Sequence, residues 1–170
     1  MLPINPCKLP ENSLLTTYKK TGAYTDCYTT KIPSTVTHSQ YIQAFYTTPI
    51  FKLERLILKW AVSKPSSDAQ VKLLAAGDTD TFAAWRVEKR CENQLLMCDY
   101  QGRTRSWFMI EAVESESGAQ TRLYFGSAVV AVKNPKNSGS SPGLVFRALL
   151  GFHKIYSVTL LFSARSRLKV

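Results

Sequence analysis

No aspartate or glutamate follows Glu116 in this 170-residue chain. Residues 117–170 carry Arg122, Lys133, Lys136, Arg147, Lys154, Arg165, Arg167 and Lys169, so +8 of the formal net charge of +10 sits in the last third. A segment without acids presents an uncompensated positive field, which raises polyanions as partners, either nucleic acid or an anionic membrane surface. The cations are spaced singly, without the dense runs of a nucleic-acid-binding tail, and this disfavours nucleic acid. Cysteine is scarce as well. Cys7, Cys27, Cys91 and Cys98 show no CxxC or CxxH spacing, so no metal site is expected. The chain has no GxSxG, no GxxxxGK[ST] and no GxGxxG, which removes the nucleophile-elbow, phosphate-loop and dinucleotide-binding classes and calls for no cofactor. Met1 to Pro10 holds no seven-residue apolar run, so no signal peptide is expected. The localisation that follows is a reduced, cytoplasmic protein, with membrane association as the alternative.

A membrane-length apolar run is also missing. Leu144 to Phe162 comes nearest, but Arg147, His153 and Lys154 interrupt it. A charge at mid-span costs on the order of 2.5–3.5 kcal/mol on insertion scales. Arg147, Gly151 and Lys154 fall at i, i+4 and i+7 and mark one polar stripe on a helix. The rest of that helix is apolar over far more than the usual 100° stripe. It therefore predicts a long helix covered on two sides by a sheet.

What is present suits a core. Hydrophobic residues make up 45% and aromatic residues 11% of the chain, enough for a large interior or an aromatic-lined pocket. Residues 1–22 read as an irregular lead-in and 23–170 as a single domain. Tyr24 to Ile32, ending at Pro33, predicts a first strand at a sheet edge. Thr37 and Gln40 have the capping-box spacing and open a short helix through Tyr46. Thr48 as N-cap with Pro49 behind it opens a second helix, Ile50 to Val62, in which Leu53, Ile57 and Trp60 repeat on one face. A third helical segment, Ala69 to Ala76, stops at Gly77. Four strand-like runs follow, Thr81 to Cys91, Gln94 to Tyr100, Arg103 to Glu114 and Thr121 to Lys133. Their short connections require an antiparallel meander. In the third run Phe108, Ile110 and Ala112 share one face, and Trp107 and Met109 the other. A sheet apolar on both faces needs cover on both. Cys91 and Cys98 are expected on neighbouring strands as buried thiols.

The order strand, two or three helices, meander and apolar terminal helix resembles the helix-grip fold of START lipid-transfer domains, birch-pollen-type allergens and polyketide cyclases. The C-terminal half is similar to a bacterial family known only as a domain of unknown function and related to that superfamily. Trp85-Arg86-Val87, Arg105-Ser106-Trp107-Phe108, the strand Thr121 to Val132 and Phe152-His153 carry the likeness, over roughly residues 24–165. The resemblance implies an α+β, helix-grip-like domain with an antiparallel sheet of about five strands curved around a long C-terminal helix. It also implies a cavity for an apolar molecule between the two.

Candidate site residues follow from that frame. Trp85, Trp107, Tyr124, Phe146, Leu150 and His153 are the expected ligand-binding set, on the cavity or on the helix that lines it. His153 is the candidate catalytic group, because imidazole exchanges a proton near neutral pH. The structural alternative is a histidine bonded to backbone or to Tyr156. His38 lies in a capping segment and receives no role. Asp26, Asp99 and Glu111 are expected to face solvent, with Glu111 paired to Arg105 on one sheet face. Ser138 to Gly143 reads as a hinge rather than an anion loop. Binding of an apolar or amphipathic small molecule, lipid-like in character, therefore ranks above a cyclase- or dehydratase-like reaction in the same cavity. A peripheral membrane protein using the basic C-terminal face is the third reading.

Overall fold

In the computed structural model, residues 4–61, 63, 65–115, 118–130 and 144–168 are described, with backbone alone for 57–59, 61 and 144–153. The elements in chain order are β1 (Asn5–Pro6), α1 (Thr16–Lys20), β2 (Tyr24–Ile32), α2 (His38–Tyr46), α3 (Pro49–Ala61), α4 (Asp68–Ala76), β3 (Thr81–Phe82), β4 (Trp85–Cys91), β5 (Gln94–Asp99), β6 (Thr104–Ser115), β7 (Gly118–Val129) and α5 (Leu144–Leu168). The protein is α+β, with one seven-stranded antiparallel sheet in the order β1-β2-β7-β6-β5-β4-β3.

Helix ends follow local chemistry. Thr37 and Gln40 form the capping box of α2, and Ser67 and Gln70 form a second one at α4. Gly77 closes α4 in the left-handed conformation at φ 91°, which an L side chain would resist. Thr48 caps α3, its Oγ1 accepting from Phe51 N–H at 3.2 Å while donating to Phe45 O at 3.0 Å.

Two short strands raise the count above the expected five. The predicted run Thr81 to Cys91 breaks at Ala83, which adopts φ 52°, so that Phe82 pairs with Trp85 across a two-residue turn. The N-terminal segment supplies the other. Residues 1–22 are expected to be irregular, yet Asn5 and Pro6 pair with Thr29 and Tyr28, and Thr16–Lys20 is helical. β2 is consequently an interior strand between β1 and β7, not an edge.

Side-chain alternation gives the sheet two cores. Tyr28, Ile32, Leu95, Met97, Phe108, Leu123 and Phe125 face the helices and join Tyr41, Phe45, Tyr46, Phe51, Leu160 and Leu161. Cys27, Leu96, Trp107, Met109, Tyr124 and Ala128 face the other way and are roofed by Leu15, with Leu9, Leu14 and Tyr18 alongside. The two-faced apolar pattern of β6 is thus satisfied by this chain's own N-terminus. Gln94 fastens that roof. Its Oε1 accepts from Leu14 N–H at 3.0 Å and from Trp107 Nε1–H at 2.9 Å, and its Nε2 donates to Asn12 O at 3.1 Å. Gly126 lets the roof sit close, since a Cβ there would lie 3.1 Å from Leu15 Cδ2, besides 2.9 Å from Asp26 O and 3.0 Å from Trp107 Cε3 within the sheet.

The sequence places α5 between two covering layers, but its described side chains are buried on one side. Ser157, Leu160, Leu161, Ala164 and Arg165 face inward, packing on α2, β2 and β7, whereas Lys154, Ile155 and Phe162 are exposed. Arg165 is buried at 2% exposure, which takes one cation away from the basic C-terminal face. No helix among the described residues is long and apolar enough to cross a membrane.

Candidate functional site

The expected apolar stripe of α3 points away from the sheet. Of its members Leu53 and Trp60 are 60% and 78% exposed, as is the neighbouring Leu56 at 51%, while the side chain of Ile57 lies outside the described residues. The rotation is set by Thr48, which holds Phe51 inward, and by Arg55 one turn later. Arg55 donates from Nε to Ser66 Oγ at 2.9 Å, from Nη2 to Ser66 O at 2.8 Å, and from Nη1 to Asp68 Oδ1 at 2.6 Å. Hydrogen bonds from Arg55 and Lys52 hold the Asp68 carboxyl below its usual range. With Phe51 and Arg55 turned inward, Glu54 comes to the same side, opposite α5.

There it borders a cavity of about 160 Å³ between the helices and the sheet. Phe45 and Tyr46 of α2, Phe51 of α3, Trp85 of β4 and Phe125 of β7 supply aromatic walls, and Tyr156, Ser157 and Leu160 of α5 close it. The rings interlock: Phe51 lies 5.6 Å from Trp85 and 4.7 Å from Tyr46, and Phe45 lies 4.9 Å from Phe125, centre to centre.

Polar groups interrupt the aromatic lining, Thr104, Arg105 and Ser106 of β6 on one side and Glu54, Tyr46, Tyr156 and Ser157 on the helices. The Tyr156 hydroxyl donates to Glu54 Oε2. Burial raises the Glu54 carboxyl to about 7, so near neutral pH it is present in both protonation states and can accept or donate. Burial, and secondarily the Glu54 charge, push the Tyr46 hydroxyl well above its ordinary value. Ser157 is 1% exposed, and its Oγ has no hydrogen-bond partner among the described residues. A buried hydroxyl in that state carries a desolvation penalty that a ligand atom could relieve.

The expected site residues divide. Trp85 lines this cavity. Trp107 and Tyr124 do not, because β6 and β7 turn them to the opposite face under the N-terminal roof. Trp107 is spent on Gln94, while the Tyr124 hydroxyl donates to Glu111 Oε2 at 2.9 Å. The side chains of Phe146, Arg147, Leu150 and His153 lie outside the described residues, as does the segment Ser138 to Gly143. Tyr156, the expected alternative partner of His153, is engaged with Glu54.

The carboxylates singled out in the sequence have structural tasks. Asp26 Oδ1 accepts from Ser127 N–H at 3.1 Å, and Asp99 Oδ1 accepts from the amides of Arg103 and Thr104. Glu111 pairs with Arg122 at 3.0 Å, its direct neighbour across β6 and β7, rather than with Arg105. Arg105 instead meets Glu88 at 2.7 Å and stacks over the Tyr18 ring at 4.7 Å. Cys98 is buried on β5, but Cys91 on β4 is exposed. Sequence reading missed Glu54, Tyr156 and Ser157. The available signal was the lone acid in a helix otherwise apolar or basic from Pro49 to Ala61. Comparison with protein-family models, with curated proteins and with solved structures finds no match to this chain.

Proposed function

We propose that the protein binds a small, mainly apolar molecule with one polar group, held between the sheet and helices α3 and α5. The observation that carries this reading is the aromatic cavity bordered by Glu54, Tyr156 and an unpartnered Ser157 hydroxyl. The apolar body of the ligand would lie against Phe45, Phe51, Trp85 and Phe125, and its polar end would meet Glu54 and Ser157. In a helix-grip-like arrangement, the fold this chain resembles, the same space between sheet and terminal helix holds the ligand.

Size narrows the class. Sites for drug-sized ligands run from about 300 to 1,000 Å³. A dry cavity of roughly 150 Å³ accepts one benzene ring. The 160 Å³ here therefore suits a single aromatic ring or a short chain rather than an entire lipid. Titration with phenol, indole and octanoate, followed by amide chemical shifts, tests this. Saturable shifts at Glu54, Trp85 and Ser157 are expected from at least one of them, and Leu160→Phe, which fills the space, should remove them. No saturable shift from any of the three would overturn the reading.

A second reading rests on the raised Glu54 carboxyl beside Tyr156. A group that exchanges its proton near pH 7 is matched to general acid–base catalysis on the bound molecule. In that case Glu54, rather than His153, is the acid–base residue. Glu54→Gln should then keep binding and lose turnover. Binding of phenol or indole without product from any related hydroxy or carbonyl compound would leave the binding role alone.

A further inference from the structure

Cys7 and Cys27 sit directly across from one another where the N-terminal segment meets β2. The register Asn5 to Thr29 and Pro6 to Tyr28 continues one residue further, and Cys7 N–H donates to Cys27 O at 2.9 Å. The two sulfurs are 3.0 Å apart. Opposed residues of an antiparallel pair have Cα atoms about 4.5–5.5 Å apart, within the roughly 4.4–6.8 Å that a disulfide spans, so the two can join without backbone rearrangement.

Their surroundings differ. Cys27 is 4% exposed, whereas Cys7 is half-buried and opens onto an outer-face groove of about 630 Å³. Lys8, Lys31 and Arg122 border that groove against one acid, Glu11, so its lining is net positive. The hydrogen bond with Cys27, and to a lesser degree the charge of Arg122, hold the Cys7 thiol below its ordinary value. Its partner moves the other way, the Cys7 hydrogen bond and burial pushing the Cys27 thiol up. This pairing gives one accessible, more acidic thiol and one shielded thiol behind it.

We infer that Cys7 and Cys27 are a thiol–disulfide exchange site for anionic low-molecular-weight disulfides, which approach through the basic groove. The Cys7 thiolate attacks one sulfur of the external disulfide, whose S–S bond breaks and releases one thiolate. Cys27 then gives up its proton and attacks Cys7 Sγ in the mixed disulfide, releasing the second thiolate. Two protein thiols are oxidised to one disulfide, the external disulfide is reduced to two thiols, and the two protons pass to the leaving groups. The bond formed ties the N-terminal segment to β2 at the margin of the core that contains Leu15 and Trp107.

Glutathione disulfide is the probe, with acid quenching, intact mass and peptide mapping. The wild-type chain should lose two hydrogens and yield a crosslinked Cys7–Cys27 peptide, with Cys91 and Cys98 still alkylatable. Cys27→Ser should stop at one glutathione adduct on Cys7, and Cys27→Ala is the alternative should serine disturb packing. Lys31→Glu should slow the reaction several-fold with glutathione disulfide at low salt but leave the rate with uncharged hydroxyethyl disulfide unchanged. Adducts on Cys91 with Cys7 and Cys27 both free would overturn the assignment of the pair. Equal rates for Lys31→Glu and wild type with both oxidants would overturn the role of the groove.

Discussion

Burial favours the neutral forms of both Glu54 and His38, but the two bend stability with pH in opposite directions. The folded chain raises the Glu54 carboxyl to about 7 from an ordinary 4.5. Between those values the native state holds more protons than the unfolded state, so stability falls as pH rises. The contribution is complete below 4.5 and lost once pH passes 7. For His38 burial lowers the imidazole to about 4 from 6.5, so its contribution is complete above 6.5 and lost as pH falls through 4. Each pKa unit is about 1.4 kcal/mol, and partial solvent access at Glu54 makes about 2 kcal/mol a reasonable scale for that group. Urea unfolding of Glu54→Gln should be about 2 kcal/mol more favourable to the fold at pH 8 than at pH 5, measured relative to wild type. A pH-independent difference would show that Glu54 is solvated in the folded protein. Neither residue announces this in the sequence. A single glutamate on a helix is read as solvent-facing because most are, and only the rotation of α3 turns this one toward aromatic walls.

That rotation illustrates what is legible at the level of elements. Helix starts and stops written in local chemistry, Thr37 with Gln40 and Gly77 after Ala76, fall where the sequence puts them. The hairpin break at Ala83 does not, because tight two-residue turns are recognised by Asn-Gly or similar pairs and Ala83-Ala84 carries no such mark. For α3 the sequence marks Leu53, Ile57 and Trp60 as the apolar face, yet Leu53 and Trp60 are exposed, because tertiary bonds from Arg55 to Ser66 and Asp68 hold the opposite side inward. Amphipathicity identifies a helix, but a buried polar network decides which face is buried. Paired substitutions test the orientation. Phe51→Ala should cost about 3–5 kcal/mol as a large core truncation, whereas Trp60→Lys should lie within about 0.5 kcal/mol of wild type as a surface change. The reverse order in thermal or urea unfolding would place the stripe against the sheet.

For the whole molecule, the sheet is a wall between two interiors of different construction. The helix-side core draws on α2, α3, α4 and α5, while the outer core depends on a segment with only two short elements. The sequence showed that β6 was apolar on both faces, but a polar, proline-bearing N-terminus gave no sign that it would supply the second cover. Gln94 is the residue on which that cover turns, since one side chain satisfies Leu14 N–H, Trp107 Nε1–H and Asn12 O. Gln94→Leu keeps similar bulk but leaves the buried Trp107 Nε1–H unpaired, at about 1–3 kcal/mol, and releases the part-buried Leu14 N–H and Asn12 O to water. The loss should be local before it is global. Amides between Leu14 and Lys20 should exchange faster, and Trp107 emission should shift to the red as Leu15 lifts away. The helix-side core, with Phe108 and Phe125, should keep its protection, because the sheet separates it from the roof. Uniform loss of protection across both faces would instead mean that the N-terminal segment and the helices unfold as one unit.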